Sequence, residues 1–374
     1  MEYGQSQLRS CRSHTKIIKG MQIKFKGLDR LYQETKEELD HVVNDVYQSG
    51  LVVNSKYCRL VEEQLKSLTG RKHAKMMASG TAGLLVSLLA LGLKGKSIAV
   101  SNYSYIASAN QAALISDNVE FIDVDKSGIM QLPNEINHDG IMPVSLYGNT
   151  PDYDTLIDRT PITKIICDCA QSLGSKYKGK YDGAWGDVAV FSFSGNKPIP
   201  CAGTQGAIVW DDDRLTKRIN AVANNGKGGR YIEPTNYGIN AEPFEIQSAQ
   251  IYINMKKLDK WQKKRTEIAE YYMESFKDLP IKFIEPIKDC TPNYHKFVVL
   301  TEKRNELFDY LTENQIETAK YYTDNLNKFF GLDAQRLMPG TEHMIRTNLS
   351  LPNHAWLTDA EVETVVNKIK KFYA

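Results

Sequence analysis

Phe191-Ser192-Phe193-Ser194-Gly195-Asn196-Lys197-Pro198 ends a short apolar run, residues 188–193, in small residues and then a single lysine. The run has the length of a strand, and Pro198 stops whatever follows it. A lysine placed just beyond a strand, among serines and a glycine, does not lie on the solvated face of a helix. In a partly dry pocket its amine loses the proton more readily and becomes a nucleophile toward carbonyl compounds. An ordinary surface lysine is the other reading of this segment alone. Its neighbours along the chain must decide.

Working outward, residues 97–100, 120–124, 141–146, 164–167 and 207–210 are similar apolar runs. Helical patterns stand between several of them. Residues 28–48 carry Leu28, Leu31, Tyr32, Leu39, Val42, Val43 and Val46 as a stripe ending at Gly50, and a second helix follows Ser79-Gly80-Thr81. Residues 106–114 and 153–158 also read as helical. Strands that are apolar throughout, rather than alternating, are those buried on both faces, so the spacing predicts an α/β unit with a mostly parallel sheet covered by helices.

Beyond about residue 245 the texture changes. A long charged helix is expected over 245–277, followed by strands at 281–284, 296–300, 316–322 and 349–351. Helices are expected at 305–314 and 358–372, the last opened by the capping-box sequence Thr358-Asp359-Ala360-Glu361. The expected division is a leader at 1–20, a large α/β domain at 21–255 and a smaller α+β domain at 256–374.

The 374 residues are 42% hydrophobic and 25% charged, ordinary for a folded protein. Lys+Arg 47 against Asp+Glu 45 leaves +2, too balanced for a nucleic-acid or anionic-membrane binder. Arg9, Arg12, Lys16 and Lys19 against Glu2 give the leader +3, so the remainder sums to −1. That leader, Arg/Ser-rich and nearly acid-free, has an organelle-transit flavour; a disordered extension, or a start at Met21, is the plainer expectation. Six cysteines without a CxxC pair suit a reducing compartment, and a cytoplasmic location is expected. The longest apolar run, residues 84–93, is too short to span a bilayer. Gly95-Lys96-Ser97 resembles the end of a phosphate-binding loop, but Ala90 stands where that motif needs glycine, and the segment leads from helix to strand. Seven scattered histidines show no metal-ligand spacing.

Three further segments join the lysine. Ala78-Ser79-Gly80-Thr81-Ala82-Gly83 opens a helix with small residues, which makes a phosphate seat or simply an N-cap. Ile165-Ile166-Cys167-Asp168 sets a carboxylate at a strand tip, for function or for capping the next turn. Tyr105, just past a strand end, could stack on a planar ring or pack in the core. Pyridoxal phosphate (PLP) needs a lysine for a Schiff base, a carboxylate at its pyridinium nitrogen, a phosphate seat and a stacking ring. The chain carries Thr81, Tyr105, Asp168 and Lys197 in one order that meets all four needs.

With these motifs the sequence resembles the DegT/DnrJ/StrS family of PLP-dependent sugar aminotransferases, of aspartate-aminotransferase fold type I. The resemblance runs from about Leu28 to the C-terminus through SGTAGL (79–84), SYIASAN (104–110), VEFIDVD (119–125), PVSLYGNTPDYD (143–154), DCAQSLG (168–174), FSFSGNK (191–197), residues 240–247 and LSLPNHAWLTDAEV (349–362). It implies a seven-stranded, mostly parallel sheet with a smaller C-terminal α+β domain. It implies that Lys197 binds PLP covalently, Asp168 pairs with the ring nitrogen, Gln171 lies beside the ring and Tyr105 stacks on it. Gly80, Thr81 and Ser192 would hold the phosphate. Asn240 would reach the phosphate of a neighbouring subunit, which implies a homodimer with shared active sites.

Three departures lie where a sugar would dock. Gly203-Thr204-Gln205-Gly206 replaces a more acidic family motif, Ala241-Glu242-Pro243-Phe244 follows Asn240 where Arg-Met is usual, and Tyr321-Tyr322-Thr323 stands for His-Tyr-Pro. Tyr321 and Tyr322 are accordingly candidate substrate contacts. The implied activity is transfer of an amino group from L-glutamate to a nucleotide-linked keto-sugar, a 4-keto-6-deoxyhexose, for amino-sugar or polysaccharide synthesis. Alternatives are a sugar dehydratase, a cyclitol-ketone aminotransferase or a non-catalytic regulator on the same fold. Relatives that remove a sugar hydroxyl carry histidine in place of the lysine, so Lys197 speaks for transamination.

Overall fold

The computed structural model describes residues 22–227, 237–331 and 336–374; the expected leader, residues 1–20, and Met21 lie outside them. Two helices come first, α1 (Leu28–Ser49) and α2 (Lys56–Thr69). Then β1 (His73–Met77), α3 (Gly80–Ala90), β2 (Ser97–Ser101), α4 (Ala107–Ile115), β3 (Asn118–Ile122) and β4 (Gly140–Met142) alternate. Next are α5 (Tyr153–Arg159), β5 (Lys164–Asp168), a small hairpin of β6 (Lys176–Tyr177) and β7 (Lys180–Tyr181), β8 (Val188–Ser192), β9 (Gly206–Trp210) and α6 (Asp213–Ala223). Seven of these strands make one sheet in the order β1-β9-β8-β5-β4-β2-β3. Its pairs are parallel except those of β9, which runs against both β1 and β8.

Strand β8 shows why the runs are apolar throughout. Ala189 and Phe191 face one buried cluster with Val61 and Leu65 of α2, while Val188 and Val190 face another with Leu84 and Leu88 of α3. Each face of the sheet is thus sealed by helices, and each fully buried Val, Leu or Phe side chain contributes about 1.5–3 kcal/mol.

The rest of the chain builds α7 (Glu245–Met255), α8 (Leu258–Phe276), β10 (Lys282–Phe283), β11 (Cys290–Thr291), β12 (Phe297–Leu300), α9 (Arg304–Glu313), α10 (Leu326–Phe330), α11 (Pro339–Thr347), β13 (Asn348–Leu351) and α12 (Asp359–Tyr373). β10, β12 and β13 form an antiparallel sheet whose buried side packs with α8, α9 and α12. Ile23 belongs to this cluster and pairs with Ile316, so the start of the described chain is pinned to the C-terminal layer. The capping box is present: Glu361 N–H donates to Thr358 Oγ1 at 3.2 Å and Thr358 N–H to Glu361 at 2.9 Å. Gly50 ends α1 at φ 68°, in the left-handed region that glycine favours.

Two expectations need correction. The single helix over 245–277 is two helices. The N–H groups of Lys256 and Lys257 donate to Ile253 and Asn254, three residues back, at 3.2 and 3.0 Å, and this tight turn separates α7 from α8. The apolar stripe continues across the break, so periodicity alone does not show it. Residues 316–322 are not a ladder strand: Ile316 and Ala319 make isolated bridges to Ile23 and Ser350, after which the chain bends to bring Tyr321 and Tyr322 against Tyr103. α2, β1, β6, β7, α6, β11, α10 and α11 carried no expectation. No helix among the described residues is long and apolar enough to cross a membrane.

Candidate active site

The site is assembled at the ends of β8 and β5 and the start of α3. Asp168 is the last residue of β5 and is buried. Ser108 of α4 donates its hydroxyl to one carboxylate oxygen at 2.6 Å, and Ala170 N–H donates to the other at 3.0 Å. Burial pushes this carboxyl up, against the opposing pull of Ser108, Lys197 and the Ala170 amide. Lys197 sits in the turn after β8, with its N–H donating to Ser194 carbonyl at 2.9 Å. The residue is only partly exposed, and the crowding protein pushes its amine down to about 8, with Asp168 pulling the other way.

The loop carrying Lys197 is fastened from behind. Asn254 donates to Pro200 carbonyl at 2.8 Å, and buried Arg265 donates to the carbonyls of Pro198 at 3.4 Å and Asn293 at 3.3 Å. The turn between α7 and α8 lets both reach it, one from each helix.

On the phosphate side, Ser79 caps α3 by accepting Ala82 N–H at 3.0 Å. Thr81 is exposed at the helix start, where leading N–H groups lack intrahelical partners. A Cβ on Gly80 would lie 2.9 Å from Ser192 Cβ, so only glycine lets the helix end press against the tip of β8. A Cβ on Gly206 would lie 2.4 Å from Gly80 N, so β9 seals the same corner by the same means.

Across the pocket, Gln171 accepts Tyr147 N–H at 3.2 Å and donates to Tyr322 hydroxyl at 3.1 Å. Tyr103 hydroxyl donates to Tyr321 carbonyl and accepts Tyr322 N–H, both at 2.9 Å. Tyr147 holds φ 60°, and at Gly148 (φ 99°) a Cβ would collide with Asn293 Oδ1, so this turn admits little else. Tyr105 is 54% exposed, its ring 6.2 Å from that of Tyr322, and so is not core packing.

The structure therefore brings Gly80, Thr81 and Ser192 to one corner, and draws Asp168 to Lys197 and Gln171, Tyr105 and Tyr321 to Tyr322. Asn240 stands apart. It is exposed, bridged to Asn224, and its side chain accepts Glu242 N–H at 3.3 Å. Ser108, Tyr103, Tyr147, Arg265, His295 and Lys296 also line or support the pocket without having been singled out. Ser108 and Tyr147 lay inside quoted motifs, whereas Arg265, His295 and Lys296 are lone residues with no local signature.

A helix N-terminus pressed on a strand tip suits a phosphate, and a buried carboxylate facing a depressed lysine suits a protonated ring nitrogen and an aldehyde. These features fit PLP, and the fold and site are those of a PLP-dependent transaminase. A family model for DegT/DnrJ/EryC1/StrS aminotransferases matches residues 33–370. The chain belongs to that family. It is 30% identical to dTDP-3-amino-3,6-dideoxy-alpha-D-galactopyranose transaminase of Aneurinibacillus thermoaerophilus, covering 94% of this chain and 99% of the relative. It is 26% identical to a pleiotropic regulatory protein of Geobacillus stearothermophilus over 94% and 99% of the two chains. A DegT/DnrJ/EryC1/StrS aminotransferase from Brucella abortus superimposes with a TM-score of 0.88 at 26% identity, covering 94% of this chain and all of that one.

Proposed function

We propose that this protein moves the amino group of L-glutamate to the ketone of a nucleotide-linked 4-keto-6-deoxyhexose, for amino-sugar or polysaccharide synthesis in the cytoplasm. The observation that carries the reading is the meeting of Lys197 and Asp168 beside the open start of α3. PLP, when bound, supplies an electrophilic carbon and a ring that accepts electrons. Gly80, Thr81 and Ser192 would hold its phosphate, and Tyr105 would cover its ring. Asp168, oriented by Ser108 and Ala170, would keep the ring nitrogen protonated. Lys197, with its amine lowered to about 8, would give up its own proton far more readily than an ordinary lysine and so could take the proton from the donor's Cα. Ping-pong kinetics follow from the two half-reactions.

A homodimer is part of this reading. Tyr47, Leu51, Val52, Val53 and Phe244 form an exposed apolar rim, held together by the Val53–Phe244 bridge. Asn240 is on the surface, where its amide would reach a neighbour's phosphate. The 3-amino product in the name of the Aneurinibacillus relative supports a second reading, in which the ketone is at C3.

The test is turnover of 15N-labelled L-glutamate with nucleotide 4-keto and 3-keto sugars. Label in the sugar with equal release of 2-oxoglutarate supports the proposal. A sugar altered without label identifies a dehydratase, and label accepted only by a cyclitol ketone identifies the other aminotransferase. No turnover with bound PLP returns the case to a regulator.

A further inference from the structure

Lys296 lies just before β12 and is only 6% exposed. Its ammonium stands over the rings of Tyr321, at 4.2 Å from the centroid, and Phe25, at 5.5 Å. Among the described residues it donates no hydrogen bond and forms no ion pair. Its charged neighbours are cations, Lys197 and Lys26. His295 beside it feels Lys296, Lys197, Arg265 and Lys26, and its buried Nε2 has no partner. Asp168 is the carboxylate that acts on Lys197, and both its oxygens are already engaged. Glu317, behind Phe25, accepts the Phe25 N–H at 2.8 Å. Burial and like charge both push Lys296 well below its ordinary value.

Aromatic faces steady a cation and exclude water, but they do not neutralise it. A pocket with several cationic groups and one committed acid is complementary to an incoming anion. Given the transaminase reading on which this inference rests, we propose that Lys296 is a donor-binding residue, its ammonium holding the α-carboxylate of the amino-acid donor while the donor nitrogen stands at Lys197. The distance argument favours this group over a sugar diphosphate. An α-carboxylate oxygen lies within roughly 3–4 Å of the nitrogen being transferred, so it must fall in the shell of side chains around Lys197. A diphosphate on the anomeric carbon is separated from the ketone by the sugar ring and falls further out. Tyr321, which carries Lys296 on its ring face, couples this donor seat to the segment expected to meet the sugar.

The experiment compares wild type with Lys296→Met, unbranched and uncharged, and Lys296→Arg. The expected result is a rise of about 10-fold or more in the KM for L-glutamate with Lys296→Met, an unchanged KM for the acceptor, and recovery in Lys296→Arg. Calorimetric binding of glutarate, which has carboxylates and no amine, should weaken in parallel and needs no turnover. Lys296→Gln takes the place of Lys296→Met should the latter not fold. A glutamate KM and glutarate affinity that do not move overturn the proposal. A shift in the acceptor KM instead also overturns it, assigning the anion to the sugar. Wild type that takes no nitrogen from glutamate removes the transaminase reading itself, a result obtained before any variant is made.

Discussion

At the scale of single residues, the proposed chemistry rests on two groups displaced from their ordinary ionisation in opposite directions. Lys197 is pushed down to about 8 from 10.5, so between those values the unfolded chain holds a proton that the folded chain has released. Stability therefore rises with pH through that window, and the charged lysine is a liability below it. Lys197→Met should raise the melting temperature of the PLP-free protein more at pH 7 than at pH 10; an equal gain at both would show that the amine is not depressed. Asp168 is pushed up by burial and held in place by Ser108. Asp168→Asn should leave PLP bound but lower kcat by about 10²-fold or more, since a neutral amide cannot keep the ring nitrogen charged. A kcat within a few-fold of wild type would remove Asp168 from its proposed place.

At the scale of elements, the corner where α3 meets β8 and β9 is closed by the absence of side chains. A Cβ on Gly80 already meets Ser192 at 2.9 Å, so Gly80→Val should force the helix start away from the strand tip. PLP affinity should fall by roughly 10-fold or more as phosphate contacts are lost, and the melting temperature of the PLP-free protein should fall as well, because the buried corner is overpacked. Retained affinity, measured by fluorescence titration, would contradict a phosphate seat there. Much of this corner was legible in the sequence, because Gly-Thr at a helix start and Asp at a strand tip have local signatures. The break at Lys256–Lys257 was not legible, because the apolar stripe of α7 runs on into α8. Nor was the fate of residues 316–322, whose apolar and aromatic side chains read as a strand but serve to fill a pocket. Arg265, His295 and Lys296 were beyond reach for the same reason: their meaning comes from what the fold brings near them, not from their sequence neighbours.

At the scale of the whole molecule, the apolar rim of Tyr47, Leu51, Val52, Val53 and Phe244 and the surface position of Asn240 predict a homodimer. Phe244→Asp combined with Val52→Asp should give a species of single-chain mass in sedimentation, with weakened PLP binding because each site loses the partner's Asn240. A single-chain mass for the wild type would refute shared sites. The central claim, that Lys197 carries PLP and hands it to an amino donor, is tested most directly by the absorption spectrum of the PLP-loaded protein. The account predicts a band near ~420 nm that moves toward ~330 nm on adding L-glutamate, with the ~420 nm band absent from Lys197→Ala. A band that appears equally in Lys197→Ala, or no band in well-folded wild type given PLP, would contradict it.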